Sequence, residues 1–160
     1  MSAKSTLGKN LQNAIARGGV EHAIAFCNLQ AMPLVDSLSH KYHANISRVS
    51  TKARNPADRP NDIESQLLEA YSYQWKDSIA LKANVQALDE HRYLFTKPIL
   101  IDNALCLTCH GTLHNGLKEE TLEFIKTKYP DDEATGYSLG DLRGMWSIVI
   151  DKKEVVQSIE

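Results

Sequence analysis

Cys106-Leu107-Thr108-Cys109-His110 is a C-x-x-C-H pentapeptide, and the reading of the whole chain turns on it. In this pattern two thiols add across the two vinyl groups of one haem, and the next residue brings its imidazole under the iron as proximal ligand. The implied cofactor is haem c, held by thioethers at Cys106 and Cys109 and ligated by His110. With three cysteines and six histidines in 160 residues, shuffling would produce the pentapeptide roughly once in a thousand chains. Two other chemistries use part of the pattern. A thioredoxin-like dithiol needs no histidine next in line and usually opens a helix after a strand, whereas here Gly111 and a polar turn follow. Cys106, Cys109 and His114 make C-x2-C-x4-H, most of a zinc knuckle, but Asn115 to Glu123 offers no cysteine or histidine as fourth ligand.

A chain of 160 residues, 42% hydrophobic and with net charge −2, fits one compact domain. The absence of a basic cluster argues against nucleic acid as a partner. No apolar run approaches the roughly 20 residues that span a bilayer. Covalent haem attachment of this kind is made outside the cytoplasmic membrane, so a periplasmic or extracytoplasmic location is expected, with any signal or membrane segment outside this chain. Residues 1–19 are polar and small, without the apolar stretch of a signal. They read as a leader, residues 20–151 as the haem domain, and residues 152–160 as the start of a C-terminal helix.

Val20, Ile24, Cys27, Ala31, Leu34 and Leu38 recur at steps of four and three, within an arc of about 80° on a helix. Cys27 lies mid-stripe, while His22 and His40 fall near the opposite side. Pro33 predicts a kink beyond Cys27. Phe26 and Leu29 make a second apolar patch suited to a partner chain, the basis for expecting a homodimer.

Ala44 to Thr51 reads as a strand, and Lys52 to Asp62 as a proline-punctuated loop rich in positive charge. Arg48 and Arg54 are candidates to counter two haem propionates, because a guanidinium fork matches a carboxylate; the bland reading of each is a solvated cation. Asp62 is placed to cap a helix running to Asp77, with Ile63, Leu67, Tyr71 and Trp75 as its stripe. Ile79 to Leu88 and His91 to Ile101 read as a hairpin across Asp89-Glu90, a turn lacking glycine. Pro98 places its strand at an edge, or at a point where pairing ends.

Leu117 to Tyr129 reads as a helix whose charged residues form a solvated face. Arg143 to Ile150 is a strand with Met145, Ser147 and Val149 on one face and Trp146, Ile148 and Ile150 on the other. The second axial ligand is open on these patterns alone among Cys27, the other histidines, Met32 and Met145. A methionine favours a high potential, and a thiolate pushes it low.

Ala25-Phe26-Cys27, Arg48-Val49-Ser50, Arg54-Asn55-Pro56 with Pro60, Lys97-Pro98-Ile99 and Cys106 to Gly111 recur in one order with Tyr129-Pro130-Asp131-Asp132 and Gly136-Tyr137 to Gly144. In this the chain resembles a bacterial family of single-haem c-type domains with a PAS-like fold, long catalogued as a domain of unknown function. Its members are small exported proteins or sensory inputs of membrane receptors. The resemblance covers residues 20 to 150. It implies an α+β fold, a central antiparallel sheet flanked by helices with a long N-terminal helix, and His/Cys axial ligation by His110 and Cys27. It adds Arg143 to the cofactor-binding candidates. Asp58 departs from the asparagine expected of the family there.

The function expected is a redox or gas sensor domain, in which reduction weakens the bond to Cys27 and admits a diatomic ligand. The alternative is a soluble low-potential electron-transfer cytochrome working with a redox partner. An enzyme is not expected, since no His-Arg or acid pair at local spacing marks a distal catalytic apparatus.

Overall fold

The structure, a computed structural model, describes the backbone of residues 3–157 and the side chains of residues 8–26 and 35–156. In chain order it runs α1 (Ala3–Lys41), β1 (Ala44–Val49), a 3-10 turn (Pro56–Asp58), α2 (Asp62–Lys76), β2 (Asn84–Ala87) and β3 (Arg92–Leu100). Then follow α3 (Ala104–His110), α4 (Glu119–Lys128), β4 (Leu142–Asp151) and α5 (Lys152–Gln157). The strands form one antiparallel sheet in the order β1-β4-β3-β2. The result is α+β and PAS-like, with helices around a central sheet and a long helix at the N-terminal side.

The two-residue alternation in β4 decides which helix packs where. Met145 is fully buried and meets Val49, Leu68 and Tyr71, the last two from α2. Its neighbour Trp146 turns to the other side, against Val35 of α1 and Ile46 of β1. Each large apolar side chain buried this way contributes about 1.5–3 kcal/mol, so both faces of β4 hold a helix to the sheet.

Helix α1 is interrupted. Gly18 (φ −158°, ψ 21°) and Gly19 (φ 77°, ψ −173°) leave helical geometry, and the axis bends there. The kink expected at Pro33, and the side chains of Cys27, Leu29, Ala31, Met32 and Leu34, lie outside the described side chains. Beyond the break, Ile24 packs against Leu117 and Ile125 while His22 and His40 are exposed, as the stripe required. The polar stretch before residue 20 is also helical, and Ala14 in it is buried.

In α2 the buried line is Glu64, Leu68 and Tyr71 rather than the expected Ile63, Leu67, Tyr71 and Trp75. Ile63 is 42% exposed and Trp75 38%. The helix starts one residue earlier than expected: Asn61, not Asp62, is the cap, and its side chain accepts from the Glu64 N–H while Glu64 Oε2 accepts from the Asn61 N–H. That reciprocal box draws Glu64 inward and rotates Ile63 out.

The β2–β3 hairpin forms without glycine, but β2 is shorter than the expected Ile79 to Leu88, and residues 88–91, rather than Asp89-Glu90 alone, connect it to β3. No residue of this turn has a positive φ, and it is organised by the Asp89 side chain. Its Oδ1 accepts from the N–H groups of His91 and Arg92 at 2.8 Å each, and its Oδ2 from the Arg92 Nε at 2.7 Å. β2 starts at Asn84, opposite Thr96, so one flank of β3 is open where Pro98 sits, facing Met145 of β4 on the other.

Candidate functional site

After β3, three residues lead into α3, which contains the whole pentapeptide. It is a helical turn rather than a loop, closed at its end by the Gly111 N–H donating to the Leu107 carbonyl at 2.9 Å. Residues three apart share a helix face, so Cys106 and Cys109 turn the same way while Leu107 goes into the core with Ile101 and Tyr137. Gly111 is obligatory here, since a Cβ on it would run into the carbonyl of Asn115. Both cysteines are free thiols.

Cys106, Cys109 and His110 line one cavity of about 310 Å³. Its apolar wall comes from Leu11, Ile15, Ala23 and Ile24 of α1 with Ile99 of β3, and its charged residues are Arg48, Arg54, Asp58 and Arg143. All but one of the cofactor-binding candidates named from the sequence, Cys106, Cys109, His110, Arg48, Arg54 and Arg143, thus reach one space. The exception is Cys27, whose side chain lies outside those described. Met145 faces the α2 core instead, and His22, His40, His43, His91 and His114 are exposed. Among the described residues no three His, Cys, Asp or Glu side chains come together as a metal site, so Cys106, Cys109 and His114 do not assemble a zinc knuckle.

His110 is oriented by its surroundings. Its Nδ1 donates to the Ala134 carbonyl at 2.7 Å, which leaves Nε2 with the free lone pair. Burial pushes the imidazole well below its usual range, and the Arg143 and Arg54 charges push the same way. The ring is therefore neutral near pH 7, the state in which a histidine can ligate a metal. Tyr137 stands edge-on to it, centroids 6.3 Å apart. Backbone bonds from Tyr137 to His110 and from Gly136 to Gly111, both 2.9 Å, lay this segment along the end of α3.

A pin secures that segment. Arg54 Nε donates to Asp132 Oδ1 at 2.9 Å and Arg54 Nη2 to the Cys109 carbonyl at 2.6 Å, while Asp132 Oδ1 also accepts from the Ala134 N–H. Arg54 lines the cavity with its guanidinium engaged in this way. Arg48 lies over the Trp146 ring at 5.9 Å. Arg143 Nη1 donates to Ser50 Oγ and to the Lys52 carbonyl, and its buried Nε has no partner. Burial pushes the Asp58 carboxyl up, with Arg48 and Arg143 offsetting part of the effect. It pushes the Cys109 thiol up as well.

Residues 2–151 match the profile of the Tll0287-like family. The chain belongs to that family. Among solved structures, that of the cyanobacterial haem protein Tll0287 superposes with a TM-score of 0.65 at 24% identity, over 94% of this chain and 91% of the other. No curated protein matches the chain. Within this Tll0287-like chain, the sequence reading missed Asp132 and Ala134 as the supports of His110, and Leu11 and Ile15 as cavity wall. Leu11 and Ile15 stand four apart in a polar stretch, a signal available but discounted; Ala134 acts through its carbonyl and has no side-chain signature.

Proposed function

We propose that this chain is a c-type monohaem protein, with haem attached through thioethers at Cys106 and Cys109 and His110 ligating the iron through Nε2. The observation that carries the reading is the His110 Nδ1 bond to Ala134, made while both cysteines of the pentapeptide line the same cavity. The donor set fits the group: two free thiols on one helix face, a neutral imidazole with a free lone pair, apolar walls, and an orphaned buried guanidinium N–H at Arg143 able to meet a carboxylate. The solved relative's description as a haem protein supports the same reading.

When bound, the haem would supply a one-electron couple and a coordination site for a diatomic gas. The residues of the chain hold and orient it. Arg48 and Arg143 supply positive charge toward its propionates, α1 closes one side against water, and the Arg54–Asp132 pin holds His110 in register. Cys27 is the proposed second ligand. It follows Ala23 and Ile24, both of the cavity wall, by four and three residues, the spacing of one helix face.

A redox or gas sensor in an extracytoplasmic compartment is favoured over an electron carrier because helix α1 both lines the cavity and packs on the sheet. A change at the iron would then move an element rather than only an electron. Intact-mass measurement on matured protein tests attachment, with one haem mass expected and an unmodified chain contradicting the reading. Cys27→Ala should alter the ferric visible spectrum, and an unchanged spectrum would assign the second position elsewhere.

A further inference from the structure

A second cavity, of about 540 Å³, lies between α2 and the segments around Lys52 and Arg143; none of the pentapeptide residues lines it. Two cations reach it and converge on one ring: Lys52 Nζ is 4.6 Å and the Arg143 guanidinium carbon 5.4 Å from the centroid of Tyr137. Tyr137 is 7% exposed, which fixes where both charges sit. Among the described residues neither cation is within ion-pair distance of a carboxylate. Lys52 Nζ donates to the Thr135 carbonyl at 2.6 Å, leaving two of the three N–H groups of an ammonium. Arg143 makes its bonds from Nη1, while Nε is buried without a partner. The rest of its polar lining includes Ser65, Glu69 and Ser72 of α2 and Asp141, whose Oδ2 accepts from the Ser138 N–H at 2.7 Å.

We propose that this cavity binds a small carboxylate, its charge met by Lys52 and Arg143 and its remaining polar atoms by the serine hydroxyls of α2. A carboxylate suits the observations better than a cation, because the unmatched groups are donors attached to fixed positive charges. Size favours a compact molecule rather than a peptide. Arg143 and Gly144 line both cavities, so an anion held here changes the charge beside the pentapeptide cavity. Only this last link rests on the haem reading.

Isothermal titration calorimetry on the full chain, with acetate, succinate, citrate and L-glutamate each as titrant, tests the site. Saturable binding of at least one is expected, and Lys52→Gln should weaken it about tenfold or more through loss of a charge-assisted hydrogen bond. No saturable heat from any of the four, or undiminished affinity in Lys52→Gln, overturns the proposal. The heats do not depend on a cofactor: a chain that gained no haem mass yet binds succinate sinks the haem reading and keeps this one. In haem-loaded protein, saturating carboxylate should lower the midpoint potential, because it offsets the Arg143 charge that otherwise opposes the oxidised iron. An unchanged potential overturns the link between the cavities.

Discussion

Arg54 and Asp58 lie close in sequence and line the same cavity, yet they contribute with opposite sign. The Arg54–Asp132 pair is well shielded, with side-chain exposures of 14% and 4%, and it supports His110 through Ala134. Removing one member leaves the other buried and unpaired, so Asp132→Ala should cost about 3–5 kcal/mol in urea unfolding. A cost within experimental error would show that the pin carries no weight. Asp58 differs because burial raises its pKa above the usual 3.8. Below 3.8 the group is protonated in both folded and unfolded chain. As pH rises through the window up to the raised value, the unfolded chain releases the proton first, so the fold loses stability; above the window the full loss persists. Asp58→Asn should therefore raise the melting temperature at neutral pH and leave it unchanged in acid below the usual carboxylate range. Equal gains at both pH values would contradict this origin.

Among the elements, α1 is the one whose geometry the sequence concealed. Its stripe from Val20 to Leu38 marked a helix, but the polar residues before it read as a leader, and their helix is visible only once Leu11 and Ile15 have a cavity to face. The break at Gly18-Gly19 re-aims this first half. Gly19 sits at φ 77°, ψ −173°, a region essentially reserved for glycine, and a Cβ there would meet nothing within 4 Å. Gly19→Ala should thus cost about 1–3 kcal/mol from backbone strain alone. The loss should appear as faster hydrogen exchange in residues 8–17, and exchange unchanged there would argue against a fixed bend. The hairpin carries the converse lesson: its turn was legible as a turn, but the device that makes it, the Asp89 carboxylate taking two backbone N–H groups, needs the fold to be seen.

For the molecule as a whole, the sheet holds one helix on each face of β4, and the proposed cofactor would fill the space between α1, α3 and the sheet edge. The variant Cys106→Ala with Cys109→Ala, matured in the same way, should then melt at lower temperature in scanning calorimetry, since it loses the group that joins those elements. An identical melting temperature would mean that the cavity adds nothing to the fold. What the sequence determined by itself was local and periodic: the pentapeptide, the two faces of β4, the helix that carries the α1 stripe, and the existence of the turns. Each follows from covalent spacing or from a repeat of two or 3.6 residues, which a chain displays before it folds. Only the tertiary structure decided that Ala134 would orient His110, that Arg54 would engage Asp132, and that Arg143 would stand between two cavities. Those relations join residues distant along the chain, and several run through backbone carbonyls that every residue carries, so no side chain announces them.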